Sequence, residues 1–260
     1  MHPDFPYDLV VLRDFEAGWG WDAQLTGLMR KKYRRDLEGL RDLDPGRLAA
    51  CLGGEALRER PHAAVAWFIR LRPFRPLELF FLLESDPEFG TALRLFYSRG
   101  SLTVPTEDAY TFGWDYVALL ARYGRGEFPL APAGPGSGWI TFADIEARGA
   151  GPLQRYALTG RGEVLPLIGA EVAAAALERL GRGECRGAVG DDWEAVLPVL
   201  PDLVLRLAVA GGEVEVAVDD RGAAKYAPEF LLSFAWLYLN AFIREARRVD
   251  AALPRLSHYF

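Results

Sequence analysis

The chain carries one local pattern twice, and that duplication limits its possible folds more than any other feature. Residues 76–122 open with Pro76-Leu-Glu-Leu-Phe-Phe-Leu-Leu, pass Glu88-Phe and an apolar run to Tyr97, and enter a long aromatic segment at Pro105-Thr-Glu-Asp. Residues 201–248 open with Pro201-Asp-Leu-Val-Leu-Arg-Leu-Ala, pass Glu213-Val and an apolar run to Val218, and enter another at Pro228-Glu-Phe. The proline-to-glutamate spacing is identical in the two copies (76 to 88, 201 to 213), and the glutamate-to-proline spacing differs by two residues (88 to 105, 213 to 228). A repeat of this length predicts one supersecondary unit used twice, here a β-hairpin plus a helix, related by internal pseudo-symmetry. Short strands in hairpins with separate helices describe an α+β protein with antiparallel or mixed sheets, not a doubly wound parallel sheet.

The punctuation of the chain divides it around the repeat. Residues 7–12 read as a short strand, Gly18-Trp-Gly-Trp as a loop, and residues 23–43 as a helix that Asp44-Pro45-Gly46 breaks. A short helix follows through Leu52 and stops at Gly53-Gly54. Residues 63–71, 77–84 and 89–97 read as strands, with Ser85-Asp86-Pro87-Glu88 as a turn, and a helix from Pro105 to Arg122 completes an N-terminal half, 1–122. Residues 123–138 form a Gly/Pro linker. The C-terminal half, 139–260, opens on a strand at Trp139-Ile-Thr-Phe and continues with a helix near 169–181, a Gly-rich loop to Gly190 and the second unit from about Leu197. Whether the halves form two domains or one stays open.

Proline fits the first helical position, where its missing N–H costs nothing, so Pro105 and Pro228 mark equivalent helix starts. Glu107, Asp108 and Glu229 then sit where the helix dipole favours negative charge, which accounts for them without catalysis. The apolar stretch from Phe230 to Ile243 would rise about 21 Å as a helix, short of the roughly 30 Å of a bilayer core. It reads as a core helix or as one shared between the subunits of a homodimer.

Several chemistries are excluded or disfavoured. The net charge of −6 repels nucleic acid and anionic membrane surfaces. Two cysteines, Cys51 and Cys185, are too few for a disulfide framework or a cysteine metal site, and no signal peptide is visible, so a cytoplasmic protein is expected. His2, His62 and His258 have no metal-ligand spacing, the six serines lack a nucleophile elbow, and Gly134-Pro-Gly-Ser-Gly138 does not lead into a helix as a phosphate loop must. Arg30-Lys-Lys-Tyr-Arg-Arg35 is the one basic cluster, and Asp36, Glu38 and Asp42 beside it suggest a solvated helix face. The scarcity of Asn, Gln, Met and Cys fits thermophily, and the same Arg-rich skew follows from a GC-rich genome.

Together, Asp44-Pro45, Leu-Glu-Leu-Phe with Asp86-Pro-Glu-Phe89, Pro105-Thr-Glu-Asp108, Gly138-Trp-Ile-Thr-Phe142 and the tail after Leu200-Pro201 resemble the prokaryotic domain-of-unknown-function family 3786, over roughly residues 25–250. The second unit departs from that pattern at Gly211-Gly-Glu-Val. The resemblance implies an architecture and no activity.

Two functions stay open. One is a non-enzymatic binding or assembly module, with a ligand groove between the repeats lined by Trp67, Trp114, Trp193, Glu213 and Trp236. The other is a metal-assisted hydrolase using carboxylates, with Asp86, Glu88, Glu107 and Asp108 as candidates and Asp191-Asp192 as a further acidic pair. No cofactor and no resident metal can be named from the residues.

Overall fold

A computed structural model describes residues 6–86, 88, 90–189 and 192–256. The chain is α+β and divides into two compact units, Met1–Pro132 and Ala133–Phe260. Each builds a five-stranded sheet in which every pairing is antiparallel.

In the first unit, β1 (Leu9–Val10) leads through a short 3-10 turn into α1 (Trp19–Gly27), a π turn (Leu28–Lys32), α2 (Arg34–Glu38) and α3 (Pro45–Cys51). The meander β2 (Gly54–Ala56), β3 (Val65–Phe74), β4 (Leu77–Asp86) and β5 (Gly90–Ser98) follows, and α4 (Thr106–Gly124) closes the unit. The strand order is β1-β5-β4-β3-β2. Period-two alternation turns Ile69, Leu79, Phe81 and Tyr97 towards the helices, and the Tyr97 hydroxyl donates to the Ala109 carbonyl of α4 at 3.0 Å. On the opposite face Val65, Phe68, Phe80 and Leu82 form a second buried cluster, with Tyr7 packed against Phe80.

In the second unit, β6 (Trp139–Thr141) is followed by α5 (Phe142–Ile145), α6 (Leu153–Leu158) and α7 (Ala170–Leu180). The strands β7 (Glu184–Val189), β8 (Asp192–Leu200), β9 (Leu203–Ala210) and β10 (Glu213–Asp219) then run as a meander into α8 (Asp220–Lys225) and α9 (Pro228–Val249). The order is β6-β10-β9-β8-β7. Trp193, Ala195, Leu197 and Val199 of β8 are buried, and Trp193 packs on Phe242 of α9 at 5.5 Å between ring centroids.

Several sequence expectations need correction. The segment expected to be helical over 23–43 is helical in four consecutive pieces, α1, the π turn, α2 and a 3-10 turn over Gly39–Asp42, and two backbones approach closely where α2 gives way to that turn. A Cβ at Gly39 would lie 2.2 Å from the Gly124 carbonyl oxygen, and one at Gly124 would lie 2.0 Å from that of Asp36. Gly18-Trp-Gly-Trp is the start of α1 and not a loop, with Gly18 pressed so near Leu12 that a Cβ would lie 1.9 Å from its carbonyl oxygen. The expected Gly-rich loop before Gly190 is the edge strand β7, whose Gly187 has a positive φ of 60°. Glycine hid that strand, because it weakens strand propensity while easing irregular pairing. The second meander accordingly starts well before Leu197. Pro228 is the first residue of its helix, whereas Pro105 is the N-cap of α4, so the two starts differ by one position. The hairpin at Gly211-Gly212 is as expected, with φ of 58° and 82° at a two-residue connection. The first hairpin's Pro87 and Phe89 lie outside the described residues, as does Asp191.

No helix among the described residues is long and apolar enough to cross a membrane. In α9, no residue from Phe230 to Ala246 is exposed in the single chain. Phe230, Leu232 and Trp236 of that helix are half-buried.

Candidate functional site

The side of the second sheet that faces away from Trp193 and Phe242 forms an open trough of about 460 Å³. Its floor is Val196 and Pro198 of β8 with Val204 of β9, and one wall is Trp139 of β6 beside Pro135 and Gly136. Glu184 and Arg186 of β7 form the other wall and pair with each other. The register places these residues on one face: Glu184 opposes Val196, Pro198 opposes Val204, and Trp139 opposes Asp219. Further along this face, Arg206 is held by Glu194 at 2.6 Å and Glu215 at 3.3 Å. Its guanidinium lies 5.8 Å from the Trp139 ring centroid, within cation–π range.

Asp219 organises the lining around Trp139. It ends β10, N-caps α8 and is 1% exposed. Its Oδ1 accepts from Gly136 N at 2.8 Å and Gly222 N at 2.9 Å, and its Oδ2 accepts from Val204 N at 2.7 Å. One carboxylate thus fastens a helix start, a neighbouring strand and the Gly/Pro segment that carries Trp139. Gly136 is tightly placed, since a Cβ there would lie 2.8 Å from the main-chain nitrogen of Arg221. Arg221 adds a bond to the Gly134 carbonyl, so the end of the expected linker is built into the second unit.

These groups suit binding better than catalysis. Trp139 is 37% exposed and offers a flat apolar surface over the Val and Pro floor. Asp219 points its oxygens at three main-chain N–H groups, so it is committed to structure. Cys185 lies on the opposite face of β7 from Glu184 and Arg186, and burial pushes its thiol up, away from the reactive thiolate.

The residues singled out from sequence are dispersed. Asp86 accepts from the Glu88 N–H at 2.8 Å, which makes the pair a turn at the β4–β5 hairpin. Glu107 and Asp108 lie in the first turn of α4, beside the far end of β5, as the Tyr97–Ala109 bond shows. The length of β5 separates the two acidic pairs by roughly 26 Å. Trp67 and Trp193 are buried in their own units, with indole N–H groups donating to the Leu40 and Ile168 carbonyls at 3.3 and 2.6 Å. Trp114 packs edge-on to Tyr110 with Lys32 5.7 Å from its ring, and the half-buried Trp236 lies under Arg161 at 4.8 Å. Glu213 opens β10 and is exposed. Among the described residues no group of three or more His, Cys, Asp or Glu is placed to hold a metal ion.

Sequence reasoning missed Asp219, Gly136 and Arg206, and it read Trp139 only as part of a strand. The available signal was Asp219-Asp220 directly after an alternating strand, a pattern that suits a helix N-cap. No family model, curated protein or solved structure matches this chain.

Proposed function

We propose that the protein is a non-enzymatic binding module whose second unit holds a small, flat, largely apolar ligand against Trp139. The observation that carries this reading is the trough itself. It presents an apolar floor and an indole wall, while the Asp219 carboxylate in its lining is consumed by main-chain hydrogen bonds. Its volume falls within the usual range for small-molecule sites, roughly 300–1,000 Å³.

The same proposal treats the two units as copies of one ancestral unit related by pseudo-symmetry. Identical strand orders support this, as do the paired tryptophans Trp67 and Trp193, each on the second strand of its meander and each bonded to a carbonyl of a preceding connection. Membership of family 3786, suggested by the motifs, belongs with it and adds no activity.

Indole is a suitable first probe. Saturable binding by ligand-observed NMR, lost in Trp139→Ala at unchanged Tm, is the expected result. An elemental assay on the purified protein tests the alternative. Stoichiometric divalent metal that disappears in Glu88→Gln would favour the carboxylate hydrolase instead.

A further inference from the structure

Among the described residues, the first unit's sheet has an edge along β5 that no strand covers beyond β1. Two cavities, of about 280 and 310 Å³, adjoin along β5 and share Met29, Arg30, Leu93 and Arg94. Their β5 lining is unbroken, 91–94 in one and 93–97 in the other. Side chains alternate across a sheet, so consecutive lining residues mean that the main-chain edge faces the groove.

The hydrogen-bond pattern identifies which groups face it. Arg99 N donates to Asp8 O at 3.2 Å, and β1 pairs with β5 only at Val10–Tyr97 and Leu9–Ser98. In an antiparallel ladder every second residue directs both main-chain groups to the same side. The N–H and C=O groups of Leu95, Leu93 and Thr91 therefore continue the row that β1 begins. Among the described residues, nothing bonds to them on that side. In the second unit the corresponding row beyond β6 is reached by a side chain, with Gln154 Nε2 donating to Val214 O at 3.4 Å.

Charge selects the occupant. Arg13, Arg30, Arg34 and Arg94 come from four separate elements to line this groove, against one lining carboxylate, Asp22. Arg94 is paired with Glu84 and Arg34 loosely with Glu38, but Arg13 and Arg30 make no ion pair or hydrogen bond among the described residues. Arg30 projects from a π turn, a distortion often found at functional sites.

We propose that this edge binds an extended acidic peptide of a partner protein, which adds a strand to β5 in line with β1. Main-chain bonds to Leu95, Leu93 and Thr91 supply affinity, and the arginine rim selects carboxylates. The competing reading is that the arginines only guard an exposed edge against pairing.

The test uses the full chain and a fluorescein-labelled peptide of alternating glutamate and valine, followed by fluorescence polarisation. Saturable binding is expected, weakened about tenfold by the double variant Arg13→Gln/Arg30→Gln at unchanged Tm. Methylating alternate peptide nitrogens should weaken it at least as much, and hydrogen exchange at Leu93 and Leu95 should slow when the peptide is bound. Equal binding of a lysine–valine peptide, or no loss on N-methylation, would overturn strand addition by an acidic segment. Absence of saturable binding up to about 1 mM would leave the rim as a guard and would equally overturn the proposal.

Discussion

Asp219 shows how much one side chain can determine. Three main-chain donors from three segments converge on it in a buried position. Asp219→Ala would strand all three, and each buried unsatisfied donor costs about 1–3 kcal/mol. A loss of about 3 kcal/mol or more is expected in denaturant unfolding, with a smaller loss for Asp219→Asn, which keeps one acceptor oxygen. A change below about 1 kcal/mol would mean that water replaces the carboxylate there. Glu127 acts at the surface instead. The guanidinium of Arg125, and then that of Arg122, hold its carboxyl at about 2, against an ordinary value of 4.5. A lowered carboxyl stabilises the fold above its unfolded pKa and loses that contribution as pH falls through the folded one. Glu127→Gln should therefore flatten the acid limb of a Tm–pH profile between about 4.5 and 2, modestly because the pair is exposed. An unchanged profile would show that these bonds add nothing.

At the scale of elements, close backbone contact shapes the first unit. Gly39 and Gly124 let the segment after α2 lie directly against the end of α4, and Arg125 bonds to Asp36 at 2.6 Å beside them. Gly39→Ala has no flexible side chain to push aside, only a carbonyl, so a cost of about 1–3 kcal/mol is expected. Gly20→Ala is the matched control. It lies inside α1 with nothing within 4 Å of the new Cβ, and should be neutral or stabilising by up to about 1 kcal/mol. Chemical denaturation of the two variants tests the contact, and similar midpoints would refute it. These glycines also explain why the helix expected over 23–43 is broken. Its composition suits one long helix, and the change of path at Gly39 comes where α4 lies against the backbone.

For the whole molecule, local pattern and tertiary structure made separable contributions. Strand alternation, the Gly211-Gly212 hairpin, the Asp44-Pro45-Gly46 break and the Pro228 helix start are properties of a few adjacent residues, so hairpins, most helices and the α+β class were legible from sequence. The two sheets share one strand order. The candidate sites were not legible, because each is made by residues far apart in the chain. The trough needs Gly136, Trp139, Val204 and Asp219 on one face of a sheet, and the groove needs arginines from four elements along a bare edge. The acidic residues that looked most chemical in sequence are turn and helix-start residues, held apart by the length of β5. The sequence by itself determined which segments become strands and helices, because backbone propensity and side-chain period are local. Tertiary structure alone decided which polar groups are satisfied internally and which sheet edge is left open, because hydrogen bonding there depends on what the fold brings alongside.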